Sequence, residues 1–205
     1  MGQFFSIHPD NPQPRLLKQA VAILEKDGLI VYPTGTNYGL GCAMNNRKGV
    51  ERIIRIKNLP ASHRFSILCA DLSDISRFAR VDNQTYRLLK RFLPGSYTFV
   101  LPATREVPKT ILPKRKTIGL RIPDNPICLG LLKAFGEPLI TSSLSLPDEQ
   151  LSGGDPEEIR DTLGKQVDLI VDGGILPDIP STVVDLTDGA PQVIREGAGK
   201  IDYFT

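Results

Sequence analysis

The chain has 205 residues but only three cysteines and two histidines. Cys42, Cys69 and Cys128 are far apart and form no CxxC pair, so neither a disulfide framework nor a cysteine-based zinc site is expected. An odd, unframed count suits a reducing compartment. No stretch approaches the ~18 consecutive apolar residues of a membrane helix. The opening MGQFFSIHPDNPQP lacks the apolar core of a secretory signal. A cytoplasmic protein without membrane association is therefore expected. No G-x-x-x-x-G-K-[ST] loop and no G-x-G-x-x-G turn occur, so a nucleotide site would be of another design. Without a G-x-S-x-G elbow there is no support for serine-hydrolase chemistry. No internal repeat or low-complexity tract points to a solenoid.

What is present is an ordinary globular balance, with 40% hydrophobic and 23% charged residues and a net charge of +2. The length fits one domain, residues 1–205, with a core of about 16–198. The small net charge hides a segregation. Residues 45–116 hold 16 of the 25 Lys and Arg and 5 of the 23 acids, a local +11, and the rest of the chain carries −9. Nine acids crowd between Asp148 and Asp178. A split this large points to a polyanion partner, a nucleic acid or a polyphosphate nucleotide.

Helix and strand signals alternate. Leu16, Leu17, Ala20, Val21 and Leu24 share a helical face that Gly28 ends. Leu29–Tyr32 reads as a buried strand broken at Pro33. A basic helix follows at Arg47–Lys57, with Val50, Ile53, Ile54 and Ile56 inward. Further helices are expected at Asp71–Phe78, Asp82–Leu93 and Pro126–Phe135, and one starts at Asp155-Pro156. Strands are expected at Phe65–Cys69, Tyr97–Leu101, Ile118–Ile122, Leu139–Ser143, Val167–Val171, Thr182–Leu186 and Gln192–Arg195. The class is α/β, a twisted mixed sheet with flanking helices.

Four segments have the composition of a site. In Tyr32-Pro33-Thr34-Gly35-Thr36-Asn37-Tyr38-Gly39 a strand enters a turn with hydroxyls and free backbone N–H groups, which suit a carboxylate or phosphate, although spacing alone fits a plain hairpin. Arg52, Arg55, Lys57, His63 and Arg64 form a basic run on a helix and the loop after it, a phosphate contact or a solvated face. Thr141-Ser142-Ser143-Leu144-Ser145 puts four hydroxyls at a strand end, where open α/β sheets bind ligands. Asp172-Gly173-Gly174, Pro180-Ser181-Thr182 and Arg195-Glu196-Gly197 each join a strand edge to a tight turn.

In this order, the segments resemble the YrdC/YciO family of threonylcarbamoyl-AMP synthases and their relatives. The pieces that carry the likeness are Tyr32-Pro33-Thr34-x-Thr36-x-Tyr38-Gly39-Leu40-Gly41, Lys57, Pro94-Gly95-x-x-Thr98-Phe99, Gly119-Leu120-Arg121-Ile122-Pro123 and Gly136-x-Pro138-Leu139-Ile140-Thr141-x-Ser143. They continue with Asp172-Gly173-Gly174, Pro180-Ser181-Thr182-Val183-Val184-Asp185 and Arg195-Glu196-Gly197. The resemblance implies a YrdC-like fold with a basic concave surface. It implies a protein that binds nucleotide and double-stranded RNA or tRNA, connected with threonylcarbamoyladenosine modification of tRNA. ATP with Mg2+, L-threonine and bicarbonate would be substrates, with no tightly bound cofactor and no resident metal. By match to the motif, Lys57 and Ser143 are the catalytic candidates. Lys57, Thr98, Ser143, Ser145, Ser181 and Arg195 are nucleotide candidates, and Thr34, Thr36 and Arg121 would take threonine. Arg52, Arg55 and Arg64 are the expected RNA contacts. The chain has Leu59 and Ser145 where the synthases show Arg and Asn, which brings it nearer the YciO branch. An active L-threonylcarbamoyladenylate synthase and a non-catalytic interaction protein are the other two readings.

Overall fold

The computed structural model describes residues 2–60, 63–112, 114, 116–146 and 153–204. Ten strands and six helices alternate: β1 Gln3–Ser6, α1 Pro14–Leu24, β2 Ile30–Pro33, β3 Tyr38–Ala43, α2 Arg47–Ile56, β4 Ser66–Leu68, α3 Leu72–Phe78, α4 Asn83–Phe92, β5 Tyr97–Pro102, β6 Thr117–Arg121, α5 Pro126–Phe135, β7 Leu139–Ser143, α6 Pro156–Leu163, β8 Leu169–Asp172, β9 Thr182–Asp185 and β10 Gln192–Arg195. All strands join one sheet in the order β1-β8-β2-β3-β7-β4-β6-β5-β9-β10. The pairs β1–β8, β2–β8, β4–β6 and β5–β9 are parallel and the others antiparallel.

Asp155 caps α6 as its Asp155-Pro156 start suggests, and three other helices are capped in the same way. Asp71, Asp82, Asn125 and Asp155 each accept a hydrogen bond from a backbone N–H in the first turn of the helix they precede. Gly136 ends α5 in the left-handed conformation. In α2 only part of the expected stripe turns inward: Val50 and Ile53 are buried, but Ile54 is 38% exposed and Ile56 is half-buried. The inward stripe of so short a helix is filled by Gly49, Val50 and Ile53.

Two strands were not expected. β1 is a four-residue edge strand held from one side by β8. β3 carries Gly39 and Gly41, which lower strand signal. Both glycines have a packing cause: the Tyr32 ring lies across β3, and a Cβ on Gly41 would stand 2.7 Å from its hydroxyl. That hydroxyl reaches over β3 to donate to Thr141 Oγ1 at 2.7 Å.

The sheet has two unlike faces, set by the period-two alternation of its strands. On one face Leu40, Cys42, Ile67, Phe99, Leu120, Ile140 and Val184 form the main core with Val50 and Ile53 of α2 and Leu89 of α4. On the other face α1 and α5 cover the β8-β2 end through Leu17, Val21, Leu131 and Leu132, packed on Ile30, Tyr32, Leu139 and Leu169. These two helices do not extend over the rest of that face. There β4, β6, β5 and β9 present Ser66, Thr117, Gly119, Arg121, Thr98, Val100 and Val183, which line a cavity.

Candidate functional site

The cavity has a volume of about 230 Å³. Its lining combines Arg64, Arg121 and Arg195 with hydroxyls from six segments, the imidazole of His63 and the amide of Asn37, and contains no Asp or Glu among the described residues. The same alternation that buries Ile118 and Leu120 in the core turns Thr117, Gly119 and Arg121 toward the cavity. Gly119 leaves room at its floor, because a Cβ there would lie 2.6 Å from Ser66 Oγ.

The β2–β3 turn forms one wall. Thr34 N–H and Thr34 Oγ1 both donate to Asn37 O, at 3.1 and 2.7 Å, closing the turn around Gly35, whose φ is +88°. Arg121 Nη2 donates to Thr34 O at 3.0 Å and Thr36 Oγ1 at 2.9 Å. Thr34, Thr36 and Arg121 are therefore one hydrogen-bonded unit, in which Thr34 and Arg121 line the cavity and Thr36 stands behind them. The guanidinium is 7% exposed, and its Nε has no hydrogen-bond partner among the described residues. No carboxylate pairs with it among them. Burial pulls its pKa down to about 10, which leaves it charged at neutral pH.

Lys57, the C-terminal cap of α2, forms the second cationic centre. It is 6% exposed, and Nζ donates to Ser142 Oγ at 2.8 Å and to the Ser143 carbonyl. Burial first, then the charge of Arg195, lowers its pKa to about 8. Lys57 sits behind the lining, and Ser142 and Ser143 connect it to the cavity. His63 Nε2 lies 3.4 Å from Ser142 Oγ, and its ring meets Phe65 edge-on. Burial and the Lys57 charge push this imidazole down to about 4, so it is neutral at physiological pH.

The third cluster joins β5, β9 and β10. Thr98 Oγ1 and Ser181 Oγ are 2.8 Å apart, and Arg195 Nη2 donates to Ser181 O at 2.8 Å. The chain after Arg195 crosses close to Pro180–Thr182. A Cβ on Gly197 would stand 2.2 Å from Pro180 O, and Thr182 Oγ1 takes the Gly197 N–H and donates to Gly199 O. This crossing places Arg195 at the rim.

Thus Thr34, Thr98, Arg121, Ser143, Ser181, Arg195 and Arg64 meet at one cavity, with Thr36 and Lys57 supporting it from behind. Ser145 is exposed and outside the lining, its N–H on Ser143 O. Leu59 is half-buried against the main core and also outside the lining. The three expected RNA arginines have different surroundings. Arg64 lines the cavity and Arg55 is exposed on α2. Arg52 is tied to Asp168 at 2.6 Å and Gln166 O at 2.8 Å, and Asp168 in turn accepts the Leu29 N–H. Sequence reasoning passed over Ser66 and Thr117 and gave His63 little weight. The polar–apolar alternation of Thr117-Ile118-Gly119-Leu120-Arg121 and Ser66-Ile67 was the signal for the first two. Cys42, Cys69 and Cys128 are buried thiols raised by burial, in keeping with core roles. No group of three or more metal-binding side chains occurs among the described residues, and no helix there is long and apolar enough to cross a membrane.

Comparison with known proteins gives a consistent set of relatives. The family model Sua5/yciO/yrdC, described as telomere recombination, matches residues 22–197. A YciO protein of Escherichia coli strain K12 is 54% identical over 205 residues, covering all of both chains. The crystal structure of E. coli YciO superposes with a TM-score of 0.95 at 53% identity, again over 100% of both chains. A threonylcarbamoyl-AMP synthase of Vibrio vulnificus is 30% identical over 185 residues, 88% of this chain and 98% of its own. P. abyssi Sua5 in complex with L-threonine superposes with a TM-score of 0.85 at 27% identity, over 95% of this chain and 57% of that one.

Proposed function

The chain belongs to the Sua5, YciO and YrdC family, and we propose that its cavity binds a nucleotide together with threonine or a threonylcarbamoyl group. In this reading the protein acts in threonylcarbamoyladenosine modification of tRNA through a site that has diverged from that of the synthases. The observation that carries the reading is a cavity ringed by cations with no acid to balance them. Arg121 and Lys57 are almost fully buried without a carboxylate partner among the described residues, and Arg195 lines the same cavity as Arg121. Buried charge without a partner is costly, and an anionic ligand would offset that cost.

The chemistry divides by position. Arg121, with its unpartnered Nε and the Thr34–Thr36 hydroxyls, suits a carboxylate. Lys57, Ser143, Ser181, Thr98 and Arg195 suit the phosphate and ribose of a nucleotide. In an adenylation these cations would stabilise the charge that develops at the phosphorus and on the pyrophosphate leaving group. The lining has no carboxylate to hold Mg2+ among the described residues, so magnesium would enter as part of the nucleotide substrate. The E. coli YciO likeness extends over the whole chain, whereas Leu59 and Ser145 lie outside the cavity where the synthases carry Arg and Asn. This favours the diverged site over a full synthase. RNA is the macromolecular partner in this reading, supported by the +11 charge of residues 45–116.

The test is calorimetric titration with ATP and L-threonine, run beside an assay for threonine-dependent pyrophosphate release in ATP, L-threonine and bicarbonate. Binding is expected for both ligands, with release slower than that of a Vibrio-type synthase under the same conditions. Release at the synthase's own rate would replace this reading with that of a full synthase. Binding of neither ligand would reduce the cavity to a relic.

A further inference from the structure

Helix α4 carries a second concentration of charge, on the side of the sheet away from the cavity. Leu89 is fully buried, and Leu88 and Phe92 pack on the main core. That inward stripe sends Tyr86, Arg87, Lys90 and Arg91 to solvent, and all four are exposed. The helix has no acidic residue. Arg87 meets Lys90 at i+3 and Arg91 at i+4, spacings at which like charges oppose helix formation. Elsewhere on the helices Arg47, Arg52, Arg77 and Arg160 each pair with a carboxylate, but none of the three α4 cations does so among the described residues.

The end of the chain completes the surface. The Arg91 guanidinium lies 4.2 Å from the centroid of Tyr203, a ring 51% exposed, which also packs on Phe92. Lys200 adds an exposed cation, Asp82 caps α4, and Asp202 is exposed next to Tyr203 in the chain. Strand β5 lies between the two sides: Phe99 faces the Phe92–Phe204 aromatic cluster, and Thr98 faces the cavity.

We infer that the outer face of α4, with Tyr203, is the surface on which a structured RNA docks. Arg87, Lys90 and Arg91 contact its phosphates, and Tyr86 and Tyr203 offer π-faces to unpaired bases. The inference rests on the RNA reading given above and moves the contact from the Arg52 side of α2 to α4. Cations interleaved with exposed aromatic rings match nucleic acid better than an acidic protein, which has no bases to stack.

The test is fluorescence anisotropy of an unmodified tRNA transcript against the full chain, from about 50 to 200 mM salt. The variants are Arg87→Gln/Lys90→Gln/Arg91→Gln, Tyr203→Ala, Tyr203→Phe and Arg55→Gln/Arg64→Gln. The α4 triple is expected to bind at least about tenfold more weakly and to flatten the log–log salt slope by about 2, at roughly 0.7–0.9 for each phosphate left without its cation. Tyr203→Ala should weaken binding with the slope nearly kept, and Tyr203→Phe should restore it. Unchanged melting of the triple would show that its fold is intact. A triple with wild-type affinity and slope, beside a weakened Arg55→Gln/Arg64→Gln variant, would overturn the α4 assignment and leave the RNA reading standing. No tRNA binding by the wild type at low salt would remove the RNA reading together with the docking surface, while ATP titration would still judge the cavity. Poly-glutamate competing as well as a second tRNA would point to an acidic protein and overturn the inference.

Discussion

Replacing Lys57 with methionine should stabilise the ligand-free protein and weaken nucleotide binding at the same time. Lys57 is 6% exposed, its Nζ has no carboxylate partner among the described residues, and its pKa is lowered from 10.5 to about 8. At about 1.4 kcal/mol per pH unit, the buried charge costs the fold about 3 kcal/mol at neutral pH. Methionine fills similar space without charge, but leaves Ser142 Oγ and the Ser143 carbonyl without this donor, at roughly 1 kcal/mol or less each. The net gain is about 1–2 kcal/mol, or about 2–8 °C in Tm for a chain of this size.

The sign of the pH dependence makes the test specific. Between about pH 8 and 10.5 the unfolded chain keeps the Lys57 proton and the folded chain has lost it. The wild type therefore gains stability as pH rises through that window, and the lead of Lys57→Met should shrink to nothing or reverse. Urea midpoints at pH 7 and pH 10 would measure this. Nucleotide affinity should fall about ten- to over a hundredfold in the variant, as expected when one charge-assisted hydrogen bond is removed. In the wild type it should decline as pH passes about 8. A Lys57→Met protein that is less stable than wild type at pH 7 and still binds nucleotide normally would mean that the Lys57 charge neither burdens the fold nor contacts the nucleotide.

Two further substitutions test the other walls. Arg121→Gln should lower L-threonine affinity at least about tenfold in calorimetry, since it removes the buried cation and its free Nε, with ATP affinity far less affected. Gly119→Ala would set a methyl 2.6 Å from Ser66 Oγ and 3.1 Å from Thr98 Cγ2. It should weaken ATP binding in the same titration, with a fall in Tm of only a few degrees.

The helices were legible because each has an inward stripe, and most a side-chain cap, both local in sequence. Ile54 was misplaced because helix α2 buries only a narrow arc, and the apolar run Ile53-Ile54 does not say which member turns inward. β3 was missed because its glycines answer to a distant cause, the Tyr32 ring reaching toward Thr141. The site was legible as ordered motif pieces, but its grouping required the sheet. Arg121 meets Thr34 because β6 and the β2–β3 turn open onto the same uncovered face, 87 residues apart in sequence. The motif also carried Ser145 along with Ser143, and alternation beyond the end of β7 does not hold it on the cavity face. Arg52 read as an outward phosphate contact because nothing local announces Asp168, 116 residues away.

The charge segregation has a structural side that changes its meaning. Several acids of the 148–178 region serve the backbone: Asp155 caps α6, Asp168 accepts the Leu29 N–H and pairs with Arg52, and Asp172 accepts the Gly174 N–H and the Ser6 hydroxyl. Asp148 and Glu149 lie outside the described residues. None of these described acids lies in the cavity lining. Lys57, Arg121 and the α4 cations have no carboxylate partner among the described residues. A net +2 is what remains when acids bound up in structure are counted against cations held in reserve. The quantity that bears on function is the number of buried or clustered cations without a carboxylate, and among the described residues the cavity and the α4 surface hold them on two sides of the same sheet.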